Sequence, residues 1–365
     1  MSNGNEFRIA VLPGDGIGIE VMDACLEVLE VLAGRTSAYK LKMDHLPAGA
    51  GHYRDTGTAL PQKTLDAARG ADAILFGAMG LPQVRTEAGT EIQPQLDLRV
   101  ALDLYAGVRP IKAIPGAPTP LADPRAAEID LIIVREQTEG LFSDVGKARK
   151  KNDAVVVDRM VISRKGSERV TEFAFKLAER RRRDGRPGRV TCVDKANVLA
   201  SAAFFRKVFN ERAALHPEIE TDCMYVDAAS LNLVRAPWQF DVLVTENMFG
   251  DILSDLCAGL IGGMGLAPSG DMGDDHGLFQ PCHGTAPDIA GKDLANPTAM
   301  LLSAVLMLQW LWHRHGVVAL REAAHLLENA IYRGYAEGAI RPAEYGGSDG
   351  TQAVGRKVAE LIRAS

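Results

Sequence analysis

Short apolar runs alternate along this chain with longer stretches in which apolar residues recur every three or four positions. The first pattern predicts buried strands and the second amphipathic helices. Phe7–Leu12, Ala71–Gly77, Asp130–Val134, Arg189–Val193 and Phe240–Val244 read as strands, and Ala154–Ile162 as β-type runs. A helix is expected to about Ala33, with Val21, Cys25, Leu29 and Leu32 on one stripe. Others are expected before Tyr105, from Glu168 to about Arg183, and from Thr298 to Trp312. Asp184-Gly185 stops the second of these. Gly270–Gly277 reads as an acidic polar loop, and a helix is placed near Asp251 after the break at Gly250.

A length of 365 residues predicts two domains, and 47% hydrophobic with 24% charged residues is ordinary for a soluble globular chain. The net charge of −6 gives no general pull toward nucleic acid or an anionic membrane. Arg180–Arg183 is the one basic run, and its place at a helix C-terminus suits the helix dipole better than a nucleic-acid interface. The apolar stretch Ala299–Trp312, interrupted by Ser303 and Gln309, is too short to span a bilayer and reads as a core helix. Cysteines 25, 192, 223, 257 and 282 form no CxxC pair, and Met1–Arg8 lacks an apolar leader. Reduced thiols and a cytoplasmic location are expected.

Asp251 and Asp255 fall four residues apart, so on a helix the two carboxylates stack on one face. Two readings fit: an acidic first turn facing solvent, or a pair of hard oxygen ligands for a divalent cation. Arg99, Arg109 and Arg135 at element ends suit a carboxylate clamp, since guanidinium grips carboxylate in a bidentate fashion; surface ion pairs are the alternative for each. Lys195, beside Asp194 at a strand end, suits a base or charge stabiliser, or an ordinary paired lysine. Asp227 is a further acid after an apolar segment. The turn Pro13–Gly18 has the spacing GxGxG rather than GxGxxG, which reads as a structural βα turn near a ligand cleft. Small residues around Thr285 let backbone approach a phosphate-bearing ligand, and Asp288 can accept from ribose hydroxyls.

Several separated motifs coincide with one family. VRP at 108–110, VREQTEG at 134–140, VDKANVL at 193–199, YVDA at 225–228, FGDILSD at 249–255 and HGTAPDIAGK at 283–292 resemble the β-decarboxylating dehydrogenases of the isopropylmalate, isocitrate and tartrate/D-malate group. The resemblance runs from Arg8 to Thr351, and its order and spacing are specific. It implies an α/β isocitrate/isopropylmalate dehydrogenase-like fold of two α/β domains with a central cleft and a non-Rossmann NAD site. Residues 1–104 with 262–365 would form the larger domain, and 105–261 the smaller, dimer-forming one. Carried over by motif, Arg99, Arg109 and Arg135 would bind the carboxylates of a malate-like hydroxy diacid. Asp251 and Asp255 would hold Mg²⁺ or Mn²⁺ together with Asp227 of a second subunit, in a homodimer with shared sites. Lys195, also from the second subunit, would serve in proton transfer, with Asn197 near the nicotinamide. His283, Gly284, Thr285, Ala286, Pro287, Asp288 and Asn296 would hold the adenosine half. A carboxylate at 288 favours NAD, because it repels a 2′-phosphate.

Four positions depart from the pattern. Phe142 stands where the family carries a catalytic tyrosine, and a phenyl ring has no proton to give. Another donor such as Lys195 or water, arrest at the oxidised keto acid, or a weakly active partner subunit are the readings this opens. Gln93 and Gln95, beside Leu96 and Leu98, are neither the leucines expected of an isopropylmalate reader nor the serine and asparagine of an isocitrate reader. A buried amide there would disfavour a bare isopropyl group, so a tartrate-, malate- or other polar-substituted diacid is the alternative. Gln280 replaces a usual glutamate.

Overall fold

The computed structural model describes residues 5–87, 89–144, 149–151 and 154–365. In chain order the elements are β1 (Asn5–Gly14), α1 (Ile17–Ala33), β2 (Tyr39–His45), α2 (Ala50–Thr56), α3 (Gln62–Arg69), β3 (Ala73–Ala78), α4 (Pro94–Ala101), β4 (Ala106–Lys112) and β5 (Asp130–Glu136). The middle of the chain adds β6 (Arg149–Lys151), β7 (Val155–Val157), α5 (Arg164–Arg183), β8 (Arg189–Asp194), α6 (Ala200–Ala213), β9 (Glu220–Tyr225) and α7 (Val226–Arg235). The last third holds β10 (Val242–Thr245), α8 (Asn247–Leu260), β11 (Pro268–Met272), β12 (Gly277–Pro281), α9 (Thr298–His315), α10 (Val318–Ala336) and α11 (Thr351–Arg363).

The chain divides into two compact units. One takes residues 1–102, 114–120 and 261–365; the other takes 103–113 and 121–260. Residues 114–120 are therefore an excursion that a single boundary pair at 105 and 261 does not contain.

In the first unit the strands lie in the order β2-β1-β3-β12-β11, parallel except for the antiparallel hairpin of β11 and β12. The predicted stripe of α1 is sealed, with Val21, Cys25 and Leu29 at 0% exposure. Each such side chain contributes about 1.5–3 kcal/mol of burial. The long apolar helix is α9, a core helix; its Ser303 hydroxyl is satisfied by the Gln280 and Ala299 carbonyls, both at 2.7 Å. Residues 270–272 are strand rather than loop, and Asp271 is wholly buried. An acid in a strand interior is tolerated here because Arg99 lies against it.

In the second unit the order is β4-β5-β10-β8-β9, with only β4 antiparallel to its neighbour. Arg109 is consequently in mid-strand, not at an element end. Helix α5 begins at Arg164, four residues before the predicted start, because the Ser163 hydroxyl accepts from the Gly166 amide at 3.0 Å and caps it. The arginine run does not present four free cations. Arg181 turns inward to Asp241 (2.5 Å) and Asp130 (3.1 Å), and Arg182 donates to the Glu218 carbonyl.

His216, after α6, stacks on Phe175 at 4.7 Å and bonds Glu179 (2.8 Å) and Glu172 (3.1 Å) through its two ring nitrogens. Burial alone would push its pKa down, but the hydrogen bonds to Glu172 and Glu179 overcome this and raise it above 6.5. A folded pKa above the unfolded one stabilises fully below the unfolded value, and that contribution is lost as pH rises through the folded value. The expected outcome is that His216→Gln costs about 1 kcal/mol or more near pH 5.5 and less near pH 8.5. Urea unfolding of both proteins at each pH checks this; a gap that widens with pH would refute it.

Candidate active site

Helix α8 starts at Asn247, four residues earlier than Asp251. The missed signal is Glu246, whose buried carboxylate accepts from the amides of Phe249 (2.8 Å) and Met248 (3.0 Å) and so caps the helix. Burial pushes its pKa up against those two hydrogen bonds. Asp251 and Asp255 therefore sit inside α8 on successive turns, not at its solvated start.

Arg135, near the end of β5 and 4% exposed, fixes this helix to the sheet. It donates to Asn247 Oδ1 through Nε (2.9 Å) and a terminal nitrogen (2.7 Å), and pairs with Asp251. Gly250 is required by this arrangement, because a Cβ there would stand 2.6 Å from Arg135 Cβ and Cγ. Arg109 donates to Gln137 Oε1 at 3.1 Å, which joins the VRP and REQ segments. Asp255 has no hydrogen-bond partner among the described residues; crowding by the chain and then the charge of Asp251 raise its pKa, while Arg109 and Arg135 oppose the shift. Two stacked acids beside two arginines form a donor set suited to a divalent cation with anionic ligands of its own.

Phe142, half-buried, lies with its ring under the Arg135 guanidinium at 5.3 Å. The adjacent Ser143 hydroxyl donates to the Gly140 carbonyl at 2.9 Å.

Lys195 and Asp227 come together in the same unit, joined at 2.7 Å, and this bond holds the Asp227 carboxyl below its ordinary range. Asp194 does not pair with Lys195. It is buried, takes the Arg206 guanidinium at 2.6 Å and accepts from the Ala196 amide, and so turns the chain that presents Lys195. Asn197 follows it and is exposed. Lys195 and Asp227 pair with each other and with neither Asp251 nor Asp255.

In the first unit Arg99 closes α4, buried, with Nε on Asp271 at 2.8 Å; its terminal nitrogens donate to no described residue. Gln95, one turn earlier, has a buried carboxamide oxygen without a hydrogen-bond partner. Gln93 is exposed and donates to Glu91 at 3.2 Å. The glycine turn is closed by protein: the Thr285 carbonyl accepts from the Ile17 amide at 2.9 Å and occupies the place of a Cβ on Gly16, whose φ is 56°. Asp15 there accepts from the amides of Ala50, Gly51 and Gly80, which makes it a structural cap.

Along the loop from 283 to 288, Thr285 is anchored to the Gly80 carbonyl at 2.6 Å, while Gly284, Ala286, Pro287 and Asp288 are exposed. His283 Nε2 is shielded and unpartnered, burial pushes the pKa of the ring down, and open space surrounds Gly284 where a Cβ would stand. These features suit a nucleotide lying along the backbone. Asn296 differs: its side chain is engaged with Thr298, Tyr335 and Glu344 inside the fold and braces the start of α9.

The family model for isocitrate/isopropylmalate dehydrogenase matches residues 8–358. The chain belongs to the isocitrate/isopropylmalate dehydrogenase family. It is 42% identical to the 3-isopropylmalate/3-methylmalate dehydrogenase of Methanocaldococcus jannaschii, over 98% of this chain and 99% of that one. It is 41% identical to the 3-isopropylmalate dehydrogenase of Methanothermobacter thermautotrophicus, over 98% of each. Among solved structures, the isocitrate dehydrogenase of Methylococcus capsulatus superposes with a TM-score of 0.86 at 37% identity, covering 98% of this chain and 99% of that one. The protein is thus a dehydrogenase of this family with its mixed α/β fold. None of its described helices is long and apolar enough to cross a membrane.

The contact between Arg135 and Gly250 is open to direct test. Gly250→Ala is expected to lower stability by about 1–3 kcal/mol through overpacking. Gly259→Ala, on the same helix with nothing within 4 Å of the new methyl, serves as its control. That change is expected to be neutral or to stabilise by up to about 1 kcal/mol. Thermal melts of the two variants check the contrast, and equal melting temperatures would contradict it.

Proposed function

We propose that the protein oxidises a malate-like 2-hydroxy diacid of the 3-isopropylmalate type, using NAD and Mg²⁺ or Mn²⁺, with β-decarboxylation of the product. The observation that carries this reading is the cluster of Arg109, Arg135, Asp251 and Asp255 on β4, β5 and α8, with Lys195 and Asp227 paired beside one another in the same unit. The names of the relatives support the substrate class. When bound, the cation supplies Lewis acidity toward the substrate hydroxyl and its neighbouring carboxylate, and NAD accepts the hydride.

The chain's own residues do the rest. Arg99, Arg109 and Arg135 grip the two carboxylates, and Arg99 has its terminal donors available for that purpose. Lys195 of a second copy takes the hydroxyl proton while the C2–H hydride leaves, giving a 2-keto acid whose remaining carboxylate is β to the new ketone. Loss of that carboxylate as CO₂ leaves an enol, which must gain a proton at C3. Phe142 has no proton to supply, so the last step falls to Lys195 or to water.

The loop from His283 to Asp288 supports a nucleotide site, and the exposed Asp288 favours a 2′-hydroxyl over a 2′-phosphate. Exposed Leu231 and Val234 on α7 and Ile252 on α8 support a homodimer in which Asp227 and Lys195 complete the neighbour's site. A second reading concerns the substituent. The unpartnered Gln95 oxygen favours a diacid bearing a hydrogen-bond donor over a bare alkyl group.

NADH formation is expected with one or more of 3-isopropylmalate, 3-methylmalate, D-malate, tartrate and isocitrate, and it should cease when the divalent cation is chelated. In the ligand-free protein Mn²⁺ is expected to raise the melting temperature, and Asp255→Asn to abolish that shift. No turnover across the panel with either NAD or NADP would overturn the proposal. Phe142→Tyr tests a donor at this position: where a donor assists the departure of CO₂, the ratio of CO₂ to NADH is expected to rise. An unchanged ratio would show that position 142 does not limit product formation.

A further inference from the structure

On one face of the β11–β12 hairpin, Gln280 lies diagonally across from Asp271 and donates its amide to Asp271 Oδ2 at 3.0 Å. The same oxygen accepts from Arg99 Nε at 2.8 Å. Asp271 is 0% exposed, and Arg99 and Gln280 are each 8% exposed, so this cluster sits away from bulk water. The hairpin beneath it is fixed to α9, because the Ser303 hydroxyl donates to the Gln280 carbonyl. Arg99 is thus held by its inner nitrogen against a rigid carboxylate, which aims the outer fork of the guanidinium without occupying it.

We propose that Asp271 and Gln280 form the positioning pair for Arg99, with one acid and one amide obligatory at these two positions. The inference rests on Arg99 binding a substrate carboxylate. Two acids at this spacing would face each other across hydrogen-bond distance, and like charges there cannot both ionise. Two amides would leave the buried guanidinium without its counter-charge. One acid with one donor amide satisfies both requirements, and exchanging the two residues keeps the total charge. A carboxylate at position 280 would start from the place of the present amide, one side chain's reach from Arg99.

Four proteins test this: the natural chain, Asp271→Asn, Gln280→Glu, and the double variant D271N/Q280E. Each single change is expected to raise KM for the diacid about tenfold while kcat changes by less than about threefold, as expected for misplacing a binding group. The double variant is expected to return KM to within about threefold of the natural value. A double variant whose effect is the product of the two single effects, or an unchanged KM in Asp271→Asn, would overturn the proposal. Melting temperatures of the ligand-free proteins separate its failure from failure of the assigned activity. Mutual rescue in melting temperature without any diacid turnover would retain the anchoring pair and reject the assigned reaction. Additive losses in melting temperature would reject the pair itself.

Discussion

A buried guanidinium is the constraint on which the second unit's chemistry depends. Arg135 leaves the end of β5, crosses the first turns of α8 and meets Asn247, Asp251 and the ring of Phe142. An uncompensated buried cation costs several kcal/mol, so each of these contacts offsets desolvation as well as locating a side chain. The stem of Arg135 leaves no volume for a Cβ at position 250, and Glu246 caps the helix so that its turns begin in the right phase. Helix phase, in turn, decides that Asp251 and Asp255 share a face.

The two units handle acids in opposite ways. At the β11–β12 hairpin a single carboxylate is sealed from water and shared between a cation and an amide, which leaves its charge locally balanced. On α8 two carboxylates stand on adjacent turns at an accessible surface, and the neighbouring arginines only partly offset the repulsion that raises the pKa of Asp255. Balanced charge suits a permanent scaffold. Imbalance suits a place where a further charge is meant to arrive, because the repulsion is relieved only on binding.

What was readable from residues alone follows the range of the interactions concerned. The i, i+4 spacing of Asp251 and Asp255, the stripe of α1 and the stop at Gly185 are local, and the structure keeps them. The burial of Asp271 was hidden, since its charge partner Arg99 is 172 residues away and a local pattern shows only an acid among glycines. The helix start at Asn247 was misplaced because a glutamate is an uncommon cap and reads as a surface acid. The carboxamide of Asn296 meets Tyr335 and Glu344 from distant segments, pairings that a local pattern does not show. The family motifs succeeded where local pattern failed because they carry distant pairings, such as Arg109 with Gln137, in a single signature.

Phe142 shows how far electrostatics and proton donation can be separated within one site. Its ring presents a flat face to the Arg135 guanidinium, so a cation–π contact forms there. What a phenyl ring lacks is a hydroxyl, and with it a proton to give. In the proposed reaction, oxidation would draw on Arg109, Arg135 and the α8 acids, whereas the proton that follows CO₂ loss needs a group with a proton to give. The neighbouring Ser143 hydroxyl donates to the Gly140 carbonyl. Within the proposed reaction, the substitution therefore bears on the end rather than on the beginning.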